Sequence, residues 1–234
     1  MRLYAFFTAL VLLFPTFGLN SKIITVGKDA EYQIIQEAVG ISSNGDTIKI
    51  KSGVYATDYT IVVENKSNLK IIGEGYVDVI CSSYVNIMEF RNCKNVLIEN
   101  IHAVHGLGTA YYGCGEESNV LALYDCQNLT IRKCELNGCG HIGIYAYDSD
   151  NLLITDNYIH SNVNSGISIT KYNVEITNIA IIGNRLINNA APILYDYEQI
   201  SEDSKDFEEI TLKNNTYYHP VEIGEEYGDE YYEE

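Results

Sequence analysis

The sequence predicts an all-β fold: a single-stranded parallel β-helix of about seven coils with an N-terminal capping helix. Three observations predict it. The 234 residues include 30 Ile and 22 Asn but only 3 Pro and no Trp. Ile suits strands and Asn suits tight turns, so a fold that alternates short strands with turns uses both. A short pattern of polar, apolar, any, apolar then recurs along the chain, as Asn68–Ile71, Asn95–Ile98, Asn128–Ile131, Asn151–Ile154 and Asn178–Ile181, with Thr47–Ile50 before and Glu209–Leu212 after. Ahead of it lies a second short strand, as in Ile61–Val63, Ile87–Phe90, Val120–Leu123, Gly143–Ala146 and Gly166–Ile169.

Each element has a physical reason. Alternating apolar residues point inward from a strand, and one coil cannot bury its inner face alone, so coils stack. The repeat starts are 21, 27, 33, 23, 27 and 31 residues apart, so the extra residues leave the stack as loops. They fall mainly at Val104–Asn119, Lys171–Thr177 and Glu198–Phe207. Asn at the turns accepts left-handed backbone and bonds its neighbours' main chain. Six residues past the repeat start, Asn recurs at Asn157, Asn184 and Asn215. The open amino-terminal end of such a stack needs a cover. Asp29–Val39 supplies it: Ile34, Ile35, Ala38 and Val39 share one helical face, and Asp29 is placed to cap the helix.

The ends of the chain read differently from the middle. Residues 1–18 have the character of a secretory signal peptide, with Arg2, the apolar stretch Leu3–Phe14, and small residues at Thr16 and Gly18. That stretch is too short to span a bilayer, so the mature chain is expected to have no transmembrane span and to be secreted or periplasmic. Residues 19–221 form the β-helix domain, and 222–234 read as a solvated acidic tail with seven acids, three Tyr and no base. The formal charge is −17. A chain this acidic is not expected to hold nucleic acid or an anionic membrane through a basic patch.

Ile24–Val26, Tyr32–Ala38, Gly45–Ile50, Gly53–Tyr55 and Ile71–Gly75 resemble the amino-terminal segment of pectate-lyase-like right-handed parallel β-helix proteins. The later repeats, such as Gly143–Asn157, look like those of polysaccharide lyases, C5-epimerases and periplasmic copper-enzyme maturation proteins. The resemblance implies a right-handed coil and a carbohydrate partner. It does not carry an active site across. Gly140-His141-Ile142-Gly143 departs from the Gly-His-Gly of polygalacturonases, and Tyr145–Asp148 lacks the Pro-His that completes the alginate-epimerase motif.

Six cysteines accompany the export signal. The repeat register stacks Cys93 on Cys126 and gives Cys114 and Cys139 similar positions, which suggests disulfides Cys93–Cys126 and Cys114–Cys139. A stack of free buried thiols fits the same register.

Chemistry is sought where outward columns align. Seven residues past the repeat start lie His102, Glu135, Tyr158 and Arg185, a candidate catalytic ladder. Abstracting the C5 proton of a uronic acid needs a base, a group to neutralise the carboxylate and an acid, and these residue types supply them. Three residues before the start lie Asn92, Asp125 and Asp148, followed by Lys171. Asp125 and Asp148 could serve glycoside hydrolysis or hold Ca²⁺, the one candidate cofactor. Glu99 and Arg132 share a third column. Tyr111, Tyr112, Tyr124, Tyr145 and Tyr147 are candidates for stacking on sugar rings, with Lys171 as a candidate cation for the substrate. Each column reads equally as a solvated face with compensating charges.

Two classes of function stay open. One is a secreted polysaccharide lyase or C5-epimerase of uronate chains, favoured over a glycoside hydrolase. The other is a non-catalytic protein that binds polysaccharide or another cell-envelope glycan, or builds a surface. The negative charge opposes an acidic substrate unless Ca²⁺ or local Arg and Lys intervene.

Overall fold

A computed structural model describes residues 21–106, 118–138, 141–173, 175–204 and 207–218. The strands wind into a right-handed β-solenoid of about seven turns with three parallel faces. The first face stacks Ile23–Val26, Thr47–Thr57, Lys70–Cys81, Leu97–Glu99, Gln127–Arg132, Asp150–Thr155, Ile179–Ile182 and Ile210–Lys213. The long strands Thr47–Thr57 and Lys70–Cys81 bend across the corner and also begin the second face. That face continues as His102–His105, Glu135–Asn137, Tyr158–His160, Arg185–Ile187 and Thr216–Tyr218. The third holds Ile61–Glu64, Met88–Arg91, Leu121–Tyr124, Ile142–Tyr147, Ser165–Thr170 and Ala191–Tyr195, with Glu198–Gln199 folded back antiparallel on the last.

The register explains the Ile-rich composition. Ile24, Ile48, Ile71, Ile98, Ile131, Ile154 and Ile181 form one column down the core, each no more than 4% exposed. Ile61, Met88, Leu121, Ile144, Ile167 and Ile193 form another beneath the third face. Burying each such side chain contributes about 1.5–3 kcal/mol before the entropy of ordering is subtracted.

Asn forms two distinct ladders. On the outside, Asn68, Asn95, Asn128 and Asn151 all take positive φ, between 52° and 59°. Each amide donates to the one before it in the chain, Asn95 to Asn68 at 3.0 Å, Asn128 to Asn95 at 2.9 Å, and Asn151 to Asn128. On the inside, Asn157 Nδ2 donates to Asn184 Oδ1 at 3.0 Å and Asn184 Nδ2 to Asn215 Oδ1 at 3.1 Å. These buried amides satisfy main-chain groups where the coil turns its corner.

Two expectations are corrected. The helix is shorter than predicted and spans Ile35–Ile41. Its N-cap is Ile34, extended and without a side-chain cap bond, so Asp29 does not cap it. Ile34 is exposed, while Ile35, Ala38 and Val39 pack against the first coil. Cys93 and Cys126 stack on neighbouring coils as predicted, but as free thiols rather than a disulfide, and Cys81 and Cys134 are also free and buried. Parallel strands in register sit about 4.7–4.9 Å apart, and a disulfide needs Cβ atoms about 3.5–4.5 Å apart. The Cys93 thiol instead meets the Val63 carbonyl at 3.3 Å, and the Cys126 thiol meets Phe90 at 3.4 Å. Cys114 and Cys139 lie outside the described residues, as do residues 1–20 and 219–234. Among the described residues, no helix is long and apolar enough to cross a membrane.

Candidate functional site

The second face brings the predicted ladder together. Asp78, His102, Glu135, Tyr158, Arg185 and Thr216 are partners on successive coils in one row. Two residues further along the same strands, Asn137 pairs with His160 in an adjacent row. Short alternating strands put both rows on the outer surface while Ala103, Leu136, Ile159 and Leu186 fill the core between them.

His102 is the most constrained member. Its Nδ1 lies 3.0 Å from the Tyr76 hydroxyl and 2.9 Å from Asp78 Oδ1. The Asp78 contact is an ion-pair approach off the N–H axis, since this oxygen accepts no aligned hydrogen bond. Its Nε2 faces the Asn137 amide nitrogen at 3.2 Å and Glu135 Oε1 at 3.9 Å. In the tautomer that accepts from Asn137, the Nε2 lone pair of His102 is on the Asn137 side and Nδ1 carries the proton. His160 mirrors this arrangement. Its Nδ1 is 3.1 Å from Ser161 Oγ, and its Nε2 lies 2.9 Å from Asn137 Nδ2 and 3.3 Å from Glu135 Oε1. A neutral His160 accepts from Asn137; a protonated one donates to Glu135. Burial holds the His160 pKa below the ordinary imidazole value, and the Glu135 carboxylate pulls the other way. Tyr158 stacks on His160 with ring centroids 4.1 Å apart, and the Arg185 guanidinium lies over the Tyr158 ring at 4.4 Å. That cation–π contact orients the guanidinium without consuming its donors.

The other predicted residues go elsewhere. Tyr124, Tyr145 and Tyr147 cluster on the third face, with centroids 6.0–6.4 Å apart. Tyr111 and Tyr112 lie outside the described residues. Lys171 Nζ lies 3.9 Å from Asp196 and 3.8 Å from Glu209, over the Tyr195 ring, so it serves a local charge cluster. Asp125 and Asp148 occupy left-handed turn positions at φ 53° and 46°. Asp148 is buried, and its two oxygens accept from the main-chain N–H groups of Tyr172 and Asn173 at 2.6–3.1 Å, anchoring the next loop. Among the described residues, no group of three or more His, Cys, Asp or Glu is arranged to hold a metal. The third column is an ion pair, Arg132 to Glu99 at 2.8 Å, with Lys133 on the other oxygen at 3.3 Å. A groove of about 830 Å³ lies between the capping helix and Ser52–Tyr59, beyond the Asp78 end of the ladder. The charged residues lining it are Lys28 and Asp58, so the chemistry-bearing groups lie outside it.

Sequence reasoning missed Tyr76, Asp78 and Asn137. Asn137 was readable, since it and His160 each lie nine residues past a repeat start. Asp78 was not, because Gly73–Val77 lengthens that coil. It stands ten residues past Asn68 rather than seven.

Comparison with known families bears on the fold. The model of the right handed beta helix region matches residues 37–218, and the chain belongs to that family. A search of curated proteins found no match. Among solved structures, ORF18 of Geobacillus virus E2 aligns at a TM-score of 0.59 and 17% identity, covering 70% of this chain and 35% of its own. This chain therefore spans about a third of that protein's length. Escherichia coli ybhC aligns at a TM-score of 0.50 and 10% identity, covering 92% of this chain and 75% of its own. A pectate lyase from Bacillus sp. N165, solved in complex with trigalacturonate, aligns at 0.41 and 14% identity, covering 86% and 83%. At these identities the likeness speaks to the fold alone.

Proposed function

We propose that this protein is an exported, polysaccharide-directed β-helix whose second face acts on uronate chains by β-elimination or C5 epimerisation. The observation that carries the reading is the continuous row Asp78, His102, Glu135, Tyr158, Arg185 with Asn137 and His160 beside it. In this reading the His102 Nε2 lone pair takes the C5 proton once Asn137 yields to substrate, and Asp78 steadies the imidazolium that forms. Arg185 meets the uronate carboxylate, onto which the electron pair of the broken C–H bond moves. For elimination, that electron pair returns to form the C4=C5 double bond as the C4–O bond breaks, and the leaving oxygen takes a proton from the Tyr158 hydroxyl. For epimerisation, that hydroxyl returns a proton to C5 from the opposite face. Arg185 also supplies the local cation that an acidic substrate needs on a chain of charge −17.

The test is a screen of alginate, pectate and chondroitin, with and without Ca²⁺, for unsaturated products by absorbance and for inverted C5 centres by NMR. Product from one of them supports the reading. No product from any, with glycan binding retained, overturns catalysis and leaves a binding protein.

A further inference from the structure

The third face carries a second constellation that the ladder chemistry does not use. Tyr124 and Tyr147 are register partners on adjacent coils, and Tyr145 lies on the same strand as Tyr147. Tyr172, on the next loop, stacks against Tyr147 at 6.4 Å and 27°. Beside the first three rings opens a cleft of about 570 Å³. Small-molecule sites run to about 300–1,000 Å³. Asn119, His141, Asn164 and Ser168 add hydrogen-bonding groups to its wall. Among the described residues that line it, none is Asp, Glu, Lys or Arg.

Tyr197 completes the cleft in an unusual way. Ala191–Tyr195 and Glu198–Gln199 form a hairpin with Asp196 and Tyr197 as its two loop residues. Both have positive φ, 45° and 72°. Such a turn favours Asn or Gly, and an aromatic residue held in the left-handed region costs about 1–2 kcal/mol. Packing does not offset that cost, because Tyr197 is 80% exposed. A strained residue whose ring stands over a cleft points to a ligand that uses the ring.

We propose that this cleft is a binding subsite for an uncharged pyranose residue of a glycan. The Tyr faces suit the C–H face of a sugar ring, and the amide, imidazole and hydroxyl groups suit its hydroxyls. With no Lys or Arg among its described lining residues, the cleft offers a uronate carboxylate weaker compensation for desolvation than it offers a neutral sugar. The subsite deepens the polysaccharide reading, on which it rests, but requires no catalysis.

The experiment titrates the full chain with neutral hexasaccharides (cello-, manno- and xylo-) and with hexagalacturonate, by calorimetry and saturation-transfer NMR. It compares wild type with Tyr197→Gly and Tyr147→Ala. Tyr197→Gly is the decisive variant, because Gly relieves the strained φ and the protein stays at least as stable. The expected result is a neutral hexasaccharide bound by wild type and weakened about tenfold or more by Tyr197→Gly and Tyr147→Ala. Neutral binding that survives Tyr197→Gly, absence of neutral binding, or equal Tyr197-dependent binding of hexagalacturonate each overturns the subsite. The two readings fail separately. Turnover of uronate chains without neutral binding removes the subsite and keeps the ladder chemistry. Neutral binding lost in Tyr197→Gly without turnover keeps the subsite and removes the chemistry.

Discussion

Replacing Asn184 by Ala tests what holds the coils in register. Asn184 is 0% exposed. Its Oδ1 accepts from the Asn157 main-chain N–H and side-chain amide, both at 3.0 Å. Its Nδ2 donates to the Ile154 carbonyl at 2.9 Å and to Asn215 Oδ1 at 3.1 Å. Ala leaves the Asn157 N–H without that partner in a site water does not reach, and takes a donor from Ile154. The Asn157 amide keeps its bond to the Ile131 carbonyl at 3.0 Å. A buried polar group left unpaired costs about 1–3 kcal/mol, so two such groups give a loss of about 2–6 kcal/mol. That is a large part of the ~5–15 kcal/mol by which native domains are stable. The assay is equilibrium urea unfolding followed by circular dichroism. Asn95→Ala, in the outer ladder, is the control: it removes an exposed amide bond and puts Ala at φ 55°, for about 1–2 kcal/mol. A loss for Asn184→Ala below about 1 kcal/mol, or smaller than for Asn95→Ala, would refute the claim that the inner ladder secures the stack.

Three further outcomes are expected. Gly143→Ala would place its Cβ 2.4 Å from an Ile159 methyl and 2.6 Å from the Gly166 carbonyl, so unfolding should be easier by about 1–3 kcal/mol, read as a shifted urea midpoint. Stability should fall with pH in two windows. The His105 pKa is lowered by burial, so its contribution is complete above its ordinary value near 6.5 and declines as pH drops below it. Glu74 is held at about 2 by Lys49 and Lys51, so its contribution is present above about 4.5 and lost on the way down to 2; melting curves at fixed ionic strength check both windows. The thiols of Cys81, Cys93, Cys126 and Cys134 should resist a bulky thiol reagent in the native protein and react in urea. Burial pushes the Cys134 thiol up to about 12, which keeps it in the unreactive thiol form in the folded protein. A Cys93–Cys126 crosslink in a peptide map would contradict the free-thiol core.

Much of the fold was legible because a stacked repeat turns sequence alignment into spatial neighbourhood. The row from His102 to Arg185 and the Glu99–Arg132 pair were found by counting from a repeated Asn, and both are register partners. Counting fails where a coil changes length, which is why Asp78 and Tyr76 were missed behind the Gly73–Val77 extension. It also does not distinguish a turn residue from a ligand. Asp125 and Asp148 align as a column in the sequence, and both take left-handed backbone at turns, where the Asp148 carboxylate accepts from main-chain N–H groups. The sequence pattern could not place the Tyr cluster on a different face from the ladder, since that depends on where each coil turns its corner. Tyr197 was invisible to the pattern because it lies in a hairpin that leaves the repeat.

The central claim is that the second face performs proton transfer on a uronate chain. The most direct measurement is solvent deuterium incorporation at C5, or unsaturated product, from alginate, pectate and chondroitin, for wild type beside His102→Gln and Arg185→Gln. The account predicts signal from wild type on one of these polymers, falling at least a hundredfold in each variant while the circular dichroism spectrum is unchanged. Activity that survives both substitutions, or no exchange and no product from wild type on any of the three, would contradict it.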